Sequence, residues 1–234
     1  PAGGYASQVA VPAAAVHPLP DSITAGQAAA LVQSYATALY ALTRRTTLSA
    51  GEWVAVLGAG GGVGLACTDL ATALGAKVVA CASSETKLEL ARRAGAAATV
   101  AYEDTDLKTA IREITGGGAD VVVDPVGGDK AEAALRSLRW EGRYLVIGFA
   151  GGGIPRIPLN QVLLNGRTVL GVELGGWVRR DPSGYHQLIR ELLDLVAAGT
   201  LHPIEPIARP LAEAPALLAE MQARAVAGKA VLVP

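Results

Sequence analysis

Five of the seven residues from Gly58 to Gly64 are glycine, in the order Gly58-Ala59-Gly60-Gly61-Gly62-Val63-Gly64. The segments on either side narrow the possible folds. Trp53-Val54-Ala55-Val56-Leu57 is an unbroken apolar run that stops at the first glycine, the pattern of a strand buried on both faces of a parallel sheet. Val63, Ala66, Cys67, Leu70, Ala71 and Leu74 then recur at helical spacing, and Gly75 closes the helix. Strand, glycine turn and helix in that order form the setting of a dinucleotide-phosphate cradle. Glycines let the backbone turn tightly and approach the anion, while the helix N-terminus offers amide hydrogens and partial positive charge. The alternative is a tight turn that only packs helix on sheet.

The pattern then repeats. Lys77–Cys81, Ala98–Ala101, Asp120–Asp124 and Arg143–Gly148 predict four more strands. Helices are predicted between them at Ser84–Ala94 (Ser84 as its cap, Gly95 as its stop), Asp106–Thr115 and 129–138. Such alternation with short connections predicts an α/β fold, a doubly wound parallel Rossmann sheet with right-handed crossovers. Residues 5–16 alternate loosely and predict a strand that ends at Pro18 and Pro20. Leu31, Val32, Tyr35, Leu39 and Leu42 predict a helix over about 25–47. Beyond Gly151-Gly152-Gly153 comes a proline-punctuated loop, then a sixth strand at Thr168–Leu174. Asp181-Pro182 opens a helix that carries Leu188, Ile189, Leu192, Leu193 and Val196 and ends at Gly199. A strand near Ile204–Ile207, a helix near 211–223 and a strand at Ala230–Val233 complete the chain.

Composition excludes several classes. The 234 residues are 51% hydrophobic and 18% charged, enough apolar content to bury a core. The net charge is −1, with no concentration of Lys or Arg, so nucleic acid and anionic membrane surfaces are not the expected partners. Every apolar run is interrupted by Gly, Pro or charge before it could span a bilayer. Cys67 and Cys81 stand in no CxxC motif and near no histidine, which points to a reduced, cytoplasmic compartment. Pro1-Ala2-Gly3-Gly4-Tyr5 has neither the basic start nor the apolar middle of a signal peptide, and no initiating Met. His17, His186 and His202 are isolated in sequence and are expected in surface or packing roles. Asp120 and Asp124 flank one strand, where cap or loop roles suit them better than paired-carboxylate chemistry.

Two further features bear on the ligand. The second strand ends Cys81-Ala82-Ser83-Ser84, with no carboxylate at its tip; Glu85 already lies in the helix, and Lys87 follows one turn later. NAD sites usually place Asp or Glu there for the ribose hydroxyls, so a hydroxylic tip near a cation favours the 2′-phosphate of NADP. The alternative is a helix cap and a surface lysine. The exits Asp124-Pro125-Val126-Gly127-Gly128 and Gly148-Phe149-Ala150 lie at the carboxyl edge of the sheet, where open α/β sheets bind ligands. A nicotinamide could lie against backbone there; the alternative is ordinary loop glycine.

The run Leu57-Gly58-Ala59-Gly60-Gly61-Gly62-Val63-Gly64-Leu65-Ala66 resembles the cofactor turn of the zinc-independent quinone oxidoreductases, the zeta-crystallin-like branch of the medium-chain dehydrogenase/reductase superfamily. Further stretches match in register: Leu74-Gly75-Ala76-Lys77-Val78, Ala82–Leu88, Asp120–Gly128, Gly142–Ala150, Ile154–Asn160 and Gly228–Leu232. The resemblance implies an NADPH-dependent enzyme, without metal, that transfers hydride to a quinone or activated alkene. By position, Gly61, Gly62 and Val63 would meet the pyrophosphate, and Ser83, Lys87 and Tyr102 the adenosine 2′-phosphate. Thr37, Val126, Gly148, Phe149 and Leu174 would line the nicotinamide side. Residues 25–204 would form the NADP-binding domain. Residues 1–24 and 205–234 would belong to a second, mainly β catalytic domain whose N-terminal part precedes this numbering. The resemblance also implies a homodimer through the edge strand near 168–174. No residue stands out as a general acid, and quinone reduction could take its proton from water. An enoyl reductase, possibly part of a larger synthase, and a non-catalytic NADP-binding module are the competing expectations.

Overall fold

A computed structural model describes residues 4–103, 105–223 and 225–234. Six strands build the central sheet: β1 (Trp53–Leu57), β2 (Lys77–Ala82), β3 (Ala98–Ala101), β4 (Ala119–Asp124), β5 (Leu138–Val146) and β6 (Thr168–Gly171). All are parallel, in the order β3-β2-β1-β4-β5-β6. The chain moves outward from β1 to β3, then returns to the other side of β1 for β4. This is the doubly wound Rossmann topology, and the reversal opens a crevice between the carboxyl ends of β1 and β4.

The apolar runs are continuous because the sheet is covered on both faces. In β1, Val54 and Val56 face one core and Ala55 and Leu57 the other, all fully buried. The first face is covered by α1 (Ala25–Tyr40), α2 (Gly62–Ala73) and α8 (Pro182–Ala197), through Leu31, Leu39, Leu70, Leu188 and Leu192. The second is covered by α4 (Leu107–Thr115) and α5 (Lys130–Ser137), through Leu107, Ile111 and Leu135. The remaining helices are α3 (Glu85–Arg93), α6 (Asn160–Leu163), α7 (Leu174–Arg180) and α9 (Ala214–Gln222). A separate pair, β7 (Ile207–Pro210) and β8 (Ala230–Val233), forms a two-stranded parallel sheet. No helix among the described residues is long and apolar enough to cross a membrane.

Several sequence expectations need correction. Pro1, Ala2 and Gly3 lie outside the described residues. Residues 5–16 form bends and a short 3-10 turn at Ala13–Ala15, not a strand. Tyr5, Val9, Val11 and Val16 are exposed, so their alternation has no sheet to pack against. The helix predicted to residue 47 is α-helical only to Tyr40 and continues as a π-helical turn, Ala41–Arg45, held by Arg44 on Glu191 and by Arg45 Nε donating to the Gly171 carbonyl. β6 ends at Gly171, the Gly148 amide at the exit of β5 donating to the Asp124 carbonyl instead of to the β6 side, and Leu174 opens α7 instead of closing the strand. β5 begins earlier and ends earlier than predicted, with a register shift against β4 and Glu141 at φ 57°. The late strand lies at Ile207–Pro210, not Ile204–Ile207. Ser84 holds the N-cap position of α3 without its hydroxyl capping the helix. Asp181 does cap α8, accepting from the Gly184 amide at 2.9 Å.

Candidate functional site

The glycine turn joins β1 to α2 at the crevice. Gly58 has φ +58°, and a Cβ there would stand 2.8 Å from Val126 Cγ2. A Cβ on Gly64 would overlap the Gly58 carbonyl oxygen and stand 2.7 Å from Ala59 Cα, so only glycine lets α2 start this close to the turn. The Ala59 amide donates to the Cys81 carbonyl at 3.0 Å and ties the turn to β2. No side chain caps the N-terminus of α2, and no acidic residue stands in its first turn. That positive helix end at a close backbone approach fits the pyrophosphate of a dinucleotide.

On the β2 side, α3 packs so closely that a Cβ on Gly60 would overlap Lys87 Cβ. Lys87 Nζ donates to Ser83 Oγ at 3.4 Å. The Tyr102 amide donates to the Ala82 carbonyl at 3.2 Å, which seats Tyr102, nearly buried, beside the same strand tip. Ser83, Lys87 and Tyr102 therefore converge. Lys130, which the sequence did not single out, joins them: its Nζ donates to the Tyr102 carbonyl at 2.9 Å and lies 5.5 Å from the ring centroid. A residue on α5 gives no sequence signal for a contact with the end of β3.

On the β4 side, Asp124 organises the crevice. Its Oδ1 accepts from the Val126 and Gly127 amides, both at 2.8 Å, and its Oδ2 accepts from the buried Tyr144 hydroxyl. Burial and the adjacent carboxylate push the Tyr144 phenol well above its usual range, so it stays a donor. The Asp124 carbonyl accepts from the Ile147 and Gly148 amides, and the Gly151 amide donates to the Val126 carbonyl at 2.7 Å. The two exit loops are thus zipped together, and a Cβ on Gly127 would stand 2.7 Å from Phe149 Cδ1. Val126, Gly148 and Phe149 share this edge, with Phe149 40% exposed. Thr37 is buried on α1, its hydroxyl donating to the Gln33 carbonyl at 2.7 Å, and Leu174 is buried at the start of α7. The loop role expected of Asp124 is what the structure gives. Asp120 serves the sheet, accepting from the Trp53 amide and pairing with Arg139 at 2.8 Å.

The C-terminal segment also reaches the turn. The Gly228 amide donates to the Gly60 carbonyl at 2.8 Å, Gly61 and Gly228 form a parallel bridge, and the Lys229 side chain lies over Gly62. The run at 228–232 was matched by resemblance, but nothing in it announced contact with residues 60–62.

Of the three histidines, two are not isolated. His17 Nε2 lies 3.2 Å from His186 Nδ1, while His202 is exposed, 3.7 Å from Asp69. Cys67 and Cys81 are buried free thiols, each pushed up to about 12 by desolvation. Among the described residues, no group of three or more His, Cys, Asp or Glu could hold a metal ion.

Residues 62–197, more than half of the chain, match the family model described as zinc-binding dehydrogenase. Quinone oxidoreductase-like protein 2 of Bos taurus is 40% identical over 187 residues, covering 79% of this chain and 54% of that protein. The chain thus spans about half the length of this relative. A 2-haloacrylate reductase of Burkholderia sp is 32% identical, covering 100% of this chain and 72% of that protein. The crystal structure of Escherichia coli quinone oxidoreductase complexed with NADPH superposes with a TM-score of 0.83 at 30% identity, covering 93% of this chain and 68% of that one. Sequence, sheet order and glycine turn agree: the chain belongs to the quinone oxidoreductase branch of the medium-chain dehydrogenase/reductase superfamily.

Proposed function

We propose that this protein is an NADPH-dependent oxidoreductase that transfers hydride to a quinone or an activated alkene, without a zinc ion. The observation that carries the cofactor is the uncapped glycine turn at the β1–β4 crevice, with a carboxylate-free strand tip bearing Ser83 and Lys87 beside it. Gly61, Gly62 and Val63 would hold the pyrophosphate through the amide end of α2. Ser83, Lys87 and Tyr102 would hold the 2′-phosphate. Thr37, Val126, Gly148, Phe149 and Leu174 would bound the nicotinamide, with Asp124 fixing the backbone of the two exit loops. The bound dinucleotide supplies the hydride, and the chain supplies position and electrostatics. The two acceptor classes are those named for the relatives above, a quinone and a haloacrylate. Zinc independence is supported by resemblance to the zinc-free branch.

The test is NADPH oxidation by the complete protein with a simple quinone and with an acrylate derivative, in the presence and absence of a chelator. Turnover that survives the chelator with either acceptor is expected. NADPH binding without turnover on any acceptor would make it a cofactor-binding module instead.

We also propose a homodimer through β6. This strand ends the sheet, Val169 on it is 46% exposed, and Leu163 and Leu164, just before it in the chain, are more exposed still. An unpaired edge with such apolar neighbours invites pairing with a second copy. Light scattering should give twice the chain mass, and Val169→Lys should halve it; a monomeric wild-type protein at micromolar concentration would end this proposal. The division into residues 25–204 and a second domain holding 1–24 and 205–234 is proposed on the same resemblance, with β7 and β8 lying outside the six-stranded sheet.

A further inference from the structure

We propose that Tyr144 is a positioning residue for the nicotinamide end of the crevice, acting through the Asp124 carboxylate on the loop that follows β4. This rests on the dinucleotide function proposed for the crevice. It adds that a phenol in the core below, far from any ligand-facing surface, controls one end of the cofactor and not the other.

Strand register places the phenol. In the parallel pair β4–β5, Val122 stands opposite Tyr144 and Asp124 opposite Val146. Val122 and Tyr144 both belong to the second core. Side chains alternate along a strand, so Asp124 shares the face of Val122, and Tyr144 reaches it along the diagonal. Tyr144 is 1% exposed and Asp124 2%. Among the described residues, Tyr144 alone donates to Asp124 Oδ2, while Oδ1 accepts from the Val126 and Gly127 amides, both at 2.8 Å.

The side chain of Val126 is a wedge that hangs on this carboxylate. A Cβ on Gly58 would stand 2.8 Å from Val126 Cγ2, and a Cβ on Gly151 would stand 3.3 Å from Val126 Cγ1. Val126 therefore fills the space between the glycine turn and the exit loop of β5. Its amide is held by Asp124 Oδ1, and its carbonyl by the Gly151 amide at 2.7 Å. Removing the Tyr144 hydroxyl leaves a buried carboxylate oxygen without a donor, which is unfavourable by far more than the bond itself contributes. The carboxylate regains a donor only by turning or by admitting water, and turning draws Oδ1 away from the two loop amides. The adenosine side hangs elsewhere. The Ala59 amide donates to the Cys81 carbonyl at 3.0 Å and the Tyr102 amide to the Ala82 carbonyl at 3.2 Å, both on β2, which β1 separates from β4.

The experiment compares the complete protein with Tyr144→Phe, Asp124→Asn and the double variant. Amide hydrogen exchange without ligand is the first readout. In Tyr144→Phe the Val126 and Gly127 amides should exchange at least about tenfold faster, and the Ala59 and Tyr102 amides at the wild-type rate. The double variant removes the stranded charge and stands in if Tyr144→Phe does not fold; its loop amides should exchange faster than those of Asp124→Asn. The second readout separates the two ends of the cofactor. At saturating NADPH, kcat with a simple quinone should fall about tenfold in Tyr144→Phe, while adenosine 2′,5′-bisphosphate, which has no nicotinamide, should bind within about twofold of wild type. Unchanged exchange at Val126 and Gly127, or unchanged kcat, would overturn the proposal. So would an equal loss of bisphosphate and NADPH affinity, the mark of a general loosening. A wild-type protein that binds neither ligand would refute the dinucleotide function instead, and the exchange rates would still decide whether Tyr144 holds the loop.

Discussion

Two lysines flank the glycine turn, and they reach it by different routes. Lys87 lies on the helix that directly follows β2, and its backbone packs against Gly60 while its ammonium turns to Ser83. Lys229 belongs to the chain terminus, comes back after α8 and α9, and covers Gly62. The first is a local consequence of a β-α-β unit: a short connection must place the start of α3 beside the turn. The second exists only because the C-terminal segment hydrogen-bonds to Gly60. The difference teaches that one glycine turn has two kinds of support: its Gly60 side is packed by a neighbour in sequence, and its Gly62 side is closed from far along the chain.

The largest test of this contrast removes the scaffold common to both. In Gly64→Val the new side chain meets the Gly58 carbonyl and Ala59 backbone, and neither can move without displacing β1 or α2. NADPH affinity, measured by fluorescence titration, should fall at least about a hundredfold, and the melting temperature should drop. Normal binding would show that the close approach of α2 to the turn is not what shapes the cradle. Next, Lys87→Met should weaken NADPH about tenfold and leave NADH binding unchanged, because only the 2′-phosphate distinguishes the two ligands. Equal loss for both would place Lys87 with the fold of the turn and blur the separation between the two sides. The smallest effect belongs to the C-terminal tie. Gly228 has φ +82° with no neighbour closer than 3.6 Å to a built Cβ, so Gly228→Ala meets strain and not a clash. It should cost about 1 kcal/mol in urea denaturation, with a few-fold loss of NADPH affinity. A variant as stable as the wild type would mean that the terminus is held to the turn without the left-handed residue.

The sheet was legible because its signals are local and strong. The run Trp53–Leu57 is apolar throughout since β1 is covered on both faces, and Leu188, Ile189, Leu192, Leu193 and Val196 keep helical spacing since α8 buries one stripe. Where the expectations failed, a distant partner decided the outcome. β6 stops at Gly171, where the Gly148 amide at the exit of β5 donates to Asp124 on β4, and Leu174 opens a helix. Residues 5–16 carry strand-like alternation but remain exposed, because alternation stabilises a strand only against a sheet. His17 and His186, 169 positions apart, meet through the packing of the N-terminal segment on α8.

The candidate site divides in the same way. The glycines, the neutral tip at Ser83 and the position of Lys87 could be taken from residues within a few turns of one another. Tyr102 came from family resemblance alone, and the structure adds the bond from its amide to Ala82 and the cation of Lys130 beside it. Asp124 shows its use only when Tyr144 and the two exit loops are in place around it.

By itself, then, the sequence determined the order of the six sheet strands, the glycine turn between strand and helix and the absence of a carboxylate at the tip of β2. These depend on periodicity, on glycine's freedom of backbone and on charge within a few residues, all of which are written along the chain. Only the tertiary structure decided that the terminus closes over the turn, that Lys229 stands at the amide end of α2 and that Lys130 backs Tyr102. Those contacts join residues remote in sequence, and nothing local encodes them; they appear only when burial of the two cores brings the segments together.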